Sequence, residues 1–202
     1  MPIIPRWEWR AFGAAFSGAE DALARSTSGP PHESDEIYFL ASSGQNVKFR
    51  DGLMDVKVLK QVDRDGLEQW VPVMKAEFPL PAADVRTVLE ALDVTEPQLR
   101  YGSYALAEFI LEFARPGGPI RAVRVGKRRE RCTIGSCRAE ISDVEAFGYA
   151  TRTLAVESED PAAVIAAVRG LGLGDRVNTS YPKGLAALLA EGARAPRAEA
   201  IG

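Results

Sequence analysis

Cationic side chains recur at alternate positions along several predicted strands of this 202-residue chain, and carboxylates are interleaved with them. Residues two apart in a strand point to the same side of a sheet, so each run places its charges on one face. The cations are Arg6, Arg10, Lys48, Arg50, Lys57, Lys75, Lys127, Arg129 and Arg131, and the carboxylates are Glu8, Asp55, Glu140 and Glu157. Two interpretations stay open: an ordinary solvated sheet face, or charges that converge on one anion site.

Convergence of these cations would require an anionic partner, because an unpaired charge is costly to bury. A chain of phosphates would supply the missing charge, since Arg binds phosphate oxygens through paired hydrogen bonds and Lys acts as a point charge. Carboxylates beside phosphates typically hold Mg²⁺ or Mn²⁺, which prefer hard oxygen ligands. On this interpretation the charged faces form a site for a polyanion and a divalent metal.

The clearest single element is a β-hairpin with its turn at Asp51-Gly52. Asp-Gly between two runs of alternating apolar and polar residues is a strong hairpin signal. The alternation places Lys48 and Arg50 on one face of the first strand and Lys57 on the charged face of the second. This hairpin therefore contributes three of the candidate phosphate-binding residues.

The same alternation predicts further strands, and apolar stripes at helical spacing predict helices. The other strands are predicted over residues 3–13, 35–41, 66–78, 120–133, 138–144 and 149–157. Helices are predicted over residues 14–26, 80–92, 103–114, 160–171 and 182–189. A proline inside a strand indicates an edge or a bulge, which we expect at Pro72.

About eight strands, joined mostly in sequential pairs by short turns, predict a mainly antiparallel sheet with helices outside it, which is an α+β fold. Closure of this sheet into a barrel would place the apolar faces against the helices and the charged faces in the interior. We expect one domain over residues 1–191, followed by a disordered tail over residues 192–202.

Bulk properties exclude several classes of protein. The formal net charge of −3 argues against a globally basic nucleic-acid binder. No apolar run approaches the roughly 20 residues that span a bilayer, and the N-terminus lacks a signal-peptide core, so we expect a cytoplasmic protein with no membrane contact. The single histidine, His32, argues against a multi-histidine metal site, and the two cysteines lack CxxC spacing. The oligomeric state is not predicted.

The ordered set of charged strands resembles the CYTH family, also called triphosphate tunnel metalloenzymes. The N-terminal strand is similar to a degenerate form of that family's ExExK signature. The motifs that carry the resemblance are Glu8 and Arg10 in the first strand, VKFRDG over 47–52, Lys75 in a later strand, the KxR pair Lys127 and Arg129, and the acidic strands with Glu140 and Glu157. Together they extend over residues 4–172.

The resemblance implies an eight-stranded antiparallel barrel that encloses a tunnel and binds a triphosphate-bearing substrate with Mg²⁺ or Mn²⁺. It implies that Glu8, Glu140 and Glu157 are metal ligands, and that Glu8 and Glu157 are catalytic. It also implies that the phosphates are held by Arg10, Lys48, Arg50, Lys57, Lys75, Lys127 and Arg129.

One departure from the signature bears on activity: its first glutamate is Arg6 here, so one metal carboxylate is missing or moved. The main expectation is a metal-dependent phosphohydrolase that acts on inorganic tripolyphosphate or a small organic triphosphate. The alternatives are a non-catalytic module that binds polyphosphate, a nucleotide or an RNA 5′-triphosphate, and an adenylyl cyclase. A structural or partner-binding role is a further alternative.

Overall fold

The computed structural model describes residues 4–26, 29–95 and 97–194, which form ten strands and five helices. In chain order the elements are β1 (Arg6–Gly13), α1 (Gly18–Ala24), β2 (His32–Leu40), β3 (Asn46–Arg50), β4 (Leu53–Val62), β5 (Glu68–Glu77), β6 (Leu80–Pro81), α2 (Ala82–Ala91), β7 (Ser103–Tyr104), α3 (Leu106–Phe113), β8 (Arg121–Ile134), β9 (Cys137–Ala146), β10 (Tyr149–Ser158), α4 (Pro161–Gly170) and α5 (Tyr181–Arg194).

Eight of the strands close into an antiparallel barrel in the order β1-β10-β9-β8-β2-β3-β4-β5. This confirms the predicted α+β barrel with helices outside it. The barrel closes where β1 meets β5, and this seam is short: it pairs Arg6, Trp7 and Glu8 with residues 70, 69 and 68. The remaining two strands, β6 and β7, form a separate two-stranded sheet.

The predicted hairpin is confirmed as β3 and β4. Asp51 and Gly52 have φ angles of 52° and 80°, so both turn residues have the positive φ of a tight hairpin turn that matches the twist of the strands. The proline bulge is also confirmed, because the β4–β5 register shifts where Lys57 pairs with Pro72 while Val56 pairs with Met74. The bulge lies beside the charged face of β4.

Two apolar clusters pack the helices onto the outside of the barrel. One includes Leu23 of α1 and Val164 of α4, together with outward-facing residues of β1 and β10 such as Trp9 and Val156. The other lies under α2 and α3 and involves β2, β3 and β4. In both clusters the apolar side of the strands faces the helices, as the alternation predicted.

A third cluster fills one end of the barrel interior. Its strand residues are Tyr38, Leu40, Val123, Val125, Val144 and Ala146. Tyr181 and Leu185 from the first turns of α5 pack among them and are almost fully buried. The expectation that charged faces line the whole interior therefore holds for one half, and α5 closes the other half.

Helix α5 begins one residue before the predicted start and continues to Arg194, so the first residues of the predicted tail are helical. The remainder of that tail, residues 195–202, lies outside the described residues. In the part of the chain that the structure describes, no helix combines the length and the apolar character needed to cross a membrane.

Candidate functional site

The charged half of the barrel holds a cavity of about 840 Å³. Eight cationic side chains and four carboxylates line it, so the lining carries a clear excess of positive charge. The cations are Arg10, Lys48, Arg50, Lys57, Lys127, Arg129, Arg131 and Arg138, and the carboxylates are Glu8, Asp55, Glu140 and Glu157. These residues come from β1, β3, β4, β8, β9 and β10, and barrel closure brings them together.

Nine of the ten predicted site residues line this cavity, and Lys75 does not. Lys75 pairs with Asp55 across β4 and β5, so its backbone position is on the expected face. It lies two residues from the end of β5, however, and its side chain is exposed. The Lys75 side chain therefore lies outside the cavity, because this end of the strand is exposed to solvent. That Lys75 holds phosphate stays a prediction.

The carboxylate with the most ion pairs in the described part of the chain was not among the predicted site residues. Glu36 of β2 is fully buried, and the lining of the cavity does not include it. Four cations surround its oxygens: Lys127 Nζ at 2.9 Å, Arg129 at 3.3 Å, Lys48 Nζ at 3.6 Å and Arg50 at 3.7 Å. One buried carboxylate thus serves four cations of the cavity.

The pKa values of these groups reflect both burial and mutual attraction. Burial would raise the pKa of Glu36, but attraction from Lys48, Lys127 and Arg129 lowers it to about 2. Burial lowers the pKa of Lys48 and of Lys127 to about 8, although Glu36 opposes this change in both. The cavity therefore contains two lysines that release their protons much more easily than exposed lysines do.

Tyr181 of α5 forms the floor of the cavity. Arg10 lies over its ring, 4.2 Å from the centroid, and Lys127 Nζ lies 3.7 Å from the same centroid. Lys127 Nζ also donates to the Tyr38 hydroxyl over 2.7 Å. Cation–π contacts of this kind help to offset the loss of hydration of buried cations. Aromatic residues of the apolar cluster thus contact the deepest cations of the cavity.

Each of the three predicted metal ligands forms an ion pair with at least one arginine. Glu8 accepts from Arg10 Nε over 2.9 Å, and Glu140 accepts from Arg131 Nε over 3.0 Å. Glu157 lies at 3.8 Å from an Arg6 nitrogen and at 3.7 Å from one of Arg138.

The role of the three carboxylates as metal ligands, which the resemblance implies, stays a prediction. Within residues 4–26, 29–95 and 97–194, no group of three or more Asp, Glu, His or Cys side chains is placed to hold a metal ion. The physical reason is the arginine-rich lining. Arg6, in place of the first glutamate of the signature, approaches Glu157, and Arg10 and Arg131 occupy oxygens of the other two.

Two polar atoms at the cavity have no hydrogen-bond partner within the described part of the chain: Arg129 Nε and Asn46 Oδ1. Both are buried. A buried donor left unpaired costs about 1–3 kcal/mol, which a bound acceptor would recover. The unpaired guanidinium donor of Arg129 is consistent with an anion that completes the site.

No family model and no curated protein sequence matches the chain. Solved structures do. The PH1012 protein of Pyrococcus horikoshii is 17% identical with a TM-score of 0.50, over 88% of this chain and 97% of that one. A candidate adenylate cyclase from Bacillus halodurans is 9% identical with a TM-score of 0.48, over 88% and 95% of the two chains.

A third structure is that of HpAC1 from Hippeastrum, a candidate adenylyl cyclase described as having a dominant triphosphatase activity. It is 13% identical with a TM-score of 0.43, over 83% of this chain and 88% of that one. At such low identities, similarity is evidence of fold alone. With the closed eight-stranded barrel and its charged interior, the chain has the CYTH-like fold that its motifs indicated.

Proposed function

We propose that this protein binds a triphosphate, inorganic or carried by a small organic molecule, in the basic cavity of the barrel. The observation that supports this most strongly is the excess of cations in the lining, eight against four carboxylates, in a space that the chain itself does not fill. Phosphate oxygens are the acceptors that Arg and Lys side chains bind most strongly. The unpaired Nε of Arg129 supplies one donor for them.

The ligand enters from the charged end, because the first turns of α5 close the other end. The leading phosphate would lie above Tyr181, within reach of Lys127, Lys48 and Arg129. Later phosphates would lie toward Arg131 and Arg138, whose side chains are more than half exposed. This polarity suits a terminal triphosphate, including one at the 5′ end of an RNA.

A cytoplasmic location, as expected from the sequence, is part of the proposal.

Hydrolysis of the bound triphosphate is a second candidate function. The observation in its favour is the loose pairing of Glu157: its two arginine partners lie at 3.7 and 3.8 Å, beyond hydrogen-bond distance. This carboxylate is therefore available to orient a water molecule against a phosphorus atom. Mg²⁺ or Mn²⁺ would arrive as the complex with the triphosphate, since Glu8, Glu140 and Glu157 are paired with arginines.

Calorimetry with tripolyphosphate tests the binding proposal. We expect wild-type protein to bind with a micromolar Kd, and Arg129→Met to bind roughly ten- to a hundredfold more weakly, because a hydrogen bond to a charged group contributes about 1.5–3 kcal/mol. The control is Arg86→Met, which removes the same charge from an exposed position of α2. Equal affinity in wild type and Arg129→Met would contradict the proposal that tripolyphosphate binds in the cavity.

Phosphate release from tripolyphosphate, ATP and thiamine triphosphate, with Mg²⁺ or Mn²⁺, tests the second function. If Glu157 orients water, Glu157→Gln should abolish release while the Kd stays within about threefold, since removing one general base typically costs a hundredfold or more. If wild type binds tightly but releases no phosphate, hydrolysis is rejected and binding is the function that remains. Formation of cyclic AMP from ATP would instead identify an adenylyl cyclase.

A further inference from the structure

Glu36 lies below the cavity, on the side where the barrel becomes apolar. It shares a face of β2 with Tyr38. Lys127 Nζ donates a hydrogen bond both to the Glu36 carboxylate and to the Tyr38 hydroxyl. Its side chain has no exposure to solvent. A residue in this position is out of reach of a ligand in the cavity, so any effect on the ligand passes through the cations around it.

We propose that Glu36 is a positioning residue, an internal carboxylate that holds four cations as one charged array for phosphate binding. This inference rests on the proposed function. The four cations come from two strands that flank β2, with Lys48 and Arg50 on β3 and Lys127 and Arg129 on β8. One carboxylate shared by four cations leaves most of their charge unneutralised. The carboxylate therefore holds the four side chains in place, and their remaining positive charge attracts an anion.

Removal of the Glu36 carboxylate should favour deprotonation of the two lysines and so reduce the positive charge of the array. Lys48 and Lys127 are buried beside each other and beside arginines, and both effects favour the neutral amine. Glu36 is the nearest attraction that opposes this loss. The other charged and titratable groups that face this array are Arg10, His32, Tyr38, Asp51, Lys57, Glu140 and Tyr181.

The test is the ratio of the Kd of Glu36→Gln to that of wild type for metal-free tripolyphosphate across pH, because protonation of the ligand cancels in the ratio. We expect a ratio near one at about pH 6, where the lysines are charged in both proteins. At about pH 8.5 we expect a ratio of about ten or more, since one unit of pKa corresponds to a tenfold change. The control is Glu33→Gln, an exposed carboxylate of the same strand.

A ratio that stays constant with pH would overturn the proposal, since a merely structural role weakens binding equally at every pH. If Glu36→Gln does not fold, Glu36→Asp replaces it: the retained charge should keep the wild-type pH profile, and a shifted profile would count against the proposal.

A ligand-free measurement separates this inference from the proposed function. NMR titration of the lysine ε-methylene groups should show two lysines titrating near pH 8 in wild type and at lower pH in Glu36→Gln. Identical titrations would reject the role of Glu36. Failure of wild type to bind tripolyphosphate would reject the proposed function and leave the titration result to stand by itself.

Discussion

Lys48 and Lys127 are the residues whose protonation state most affects the cavity. Burial lowers the pKa of each from 10.5 to about 8 in the folded protein. The unfolded chain therefore binds more protons than the folded one between these values, so the cost of burying these two lysines falls and the free energy of unfolding rises as pH goes from about 8 to 10.5. An anion bound against them would raise both pKa values again.

The first prediction is that ATP binding at about pH 8.5 takes up protons, because the bound phosphates re-protonate the two lysines. The terminal phosphate of ATP, with a second pKa of about 6, is already ionised at that pH. Calorimetry in two buffers of different ionisation enthalpy measures the uptake. Lys48→Met should reduce it and Lys60→Met, at an exposed position near the end of β4, should not. Zero uptake in wild type would contradict the prediction.

Glu36 illustrates why the sequence did not yield the whole site. The alternation of charged and apolar residues correctly placed Lys48, Lys127 and Arg129 on one face, because period two is a local property of strands. Glu36 follows the same alternation with Tyr38, and that signal was available. Its four partners lie on β3 and β8, however, and β8 is separated from β2 in the chain by five other strands and two helices.

At the scale of elements, α5 determines the depth of the cavity. Gly184 lies against the Phe12 ring, and a Cβ at Gly184 would overlap that ring. Phe12 in turn packs edge-on against Tyr181, the floor of the cavity. The fit between this helix and the barrel therefore depends on a position with no side chain.

The second prediction is that Gly184→Ala destabilises the protein by about 1–3 kcal/mol, the usual cost of overpacking. Denaturant unfolding measures it. Gly170→Ala is the matched control, because the same substitution at the end of α4 meets no atom within 4 Å. We expect that control to be neutral or to stabilise by up to about 1 kcal/mol, since Ala is the better helix former. Equal stabilities of the two variants would show that α5 packs differently.

The elements themselves were largely predictable, and the exceptions share one cause. The hairpin, the bulge at Pro72 and the helix that begins after Asp160 each have a local signal in the sequence. The two-residue strands β6 and β7 were predicted as helix starts, because a pair so short has no periodicity. Likewise, the apolar stripe of α5 predicts a helix but cannot distinguish the inside of a barrel from the outside.

For the whole molecule, the closed end of the barrel limits how a polymer can bind. On the proposed function, a phosphate chain would enter the cavity only by a terminus, since Tyr181 and Leu185 fill the far end. The net charge of −3 gives the rest of the surface no general attraction for a polyanion. Binding should therefore depend on chain ends and not on chain length.

The third prediction is that linear polyphosphate binds at most one protein per chain end, whatever its length. Mass photometry or sedimentation measures the number of proteins on chains of increasing length. Arg129→Met should lose this binding, which distinguishes the cavity from the outer surface. A number of bound proteins that grows in proportion to length would mean that phosphate chains lie along the surface or pass through the barrel.

The short seam between β1 and β5 is completed by a residue that lies far along the chain. Asn178 strengthens it: its Nδ2 donates to the carbonyl oxygens of Glu8 and Gly66, and its Oδ1 accepts from the Arg10 backbone N–H. The strand that opens the chain is thus held by a residue near its end, and β1 also pairs with β10. Such distant contacts slow folding. A nascent chain on the ribosome therefore cannot complete its barrel until β10 has left the exit channel, and the seam gains the hydrogen bonds of Asn178 only after that.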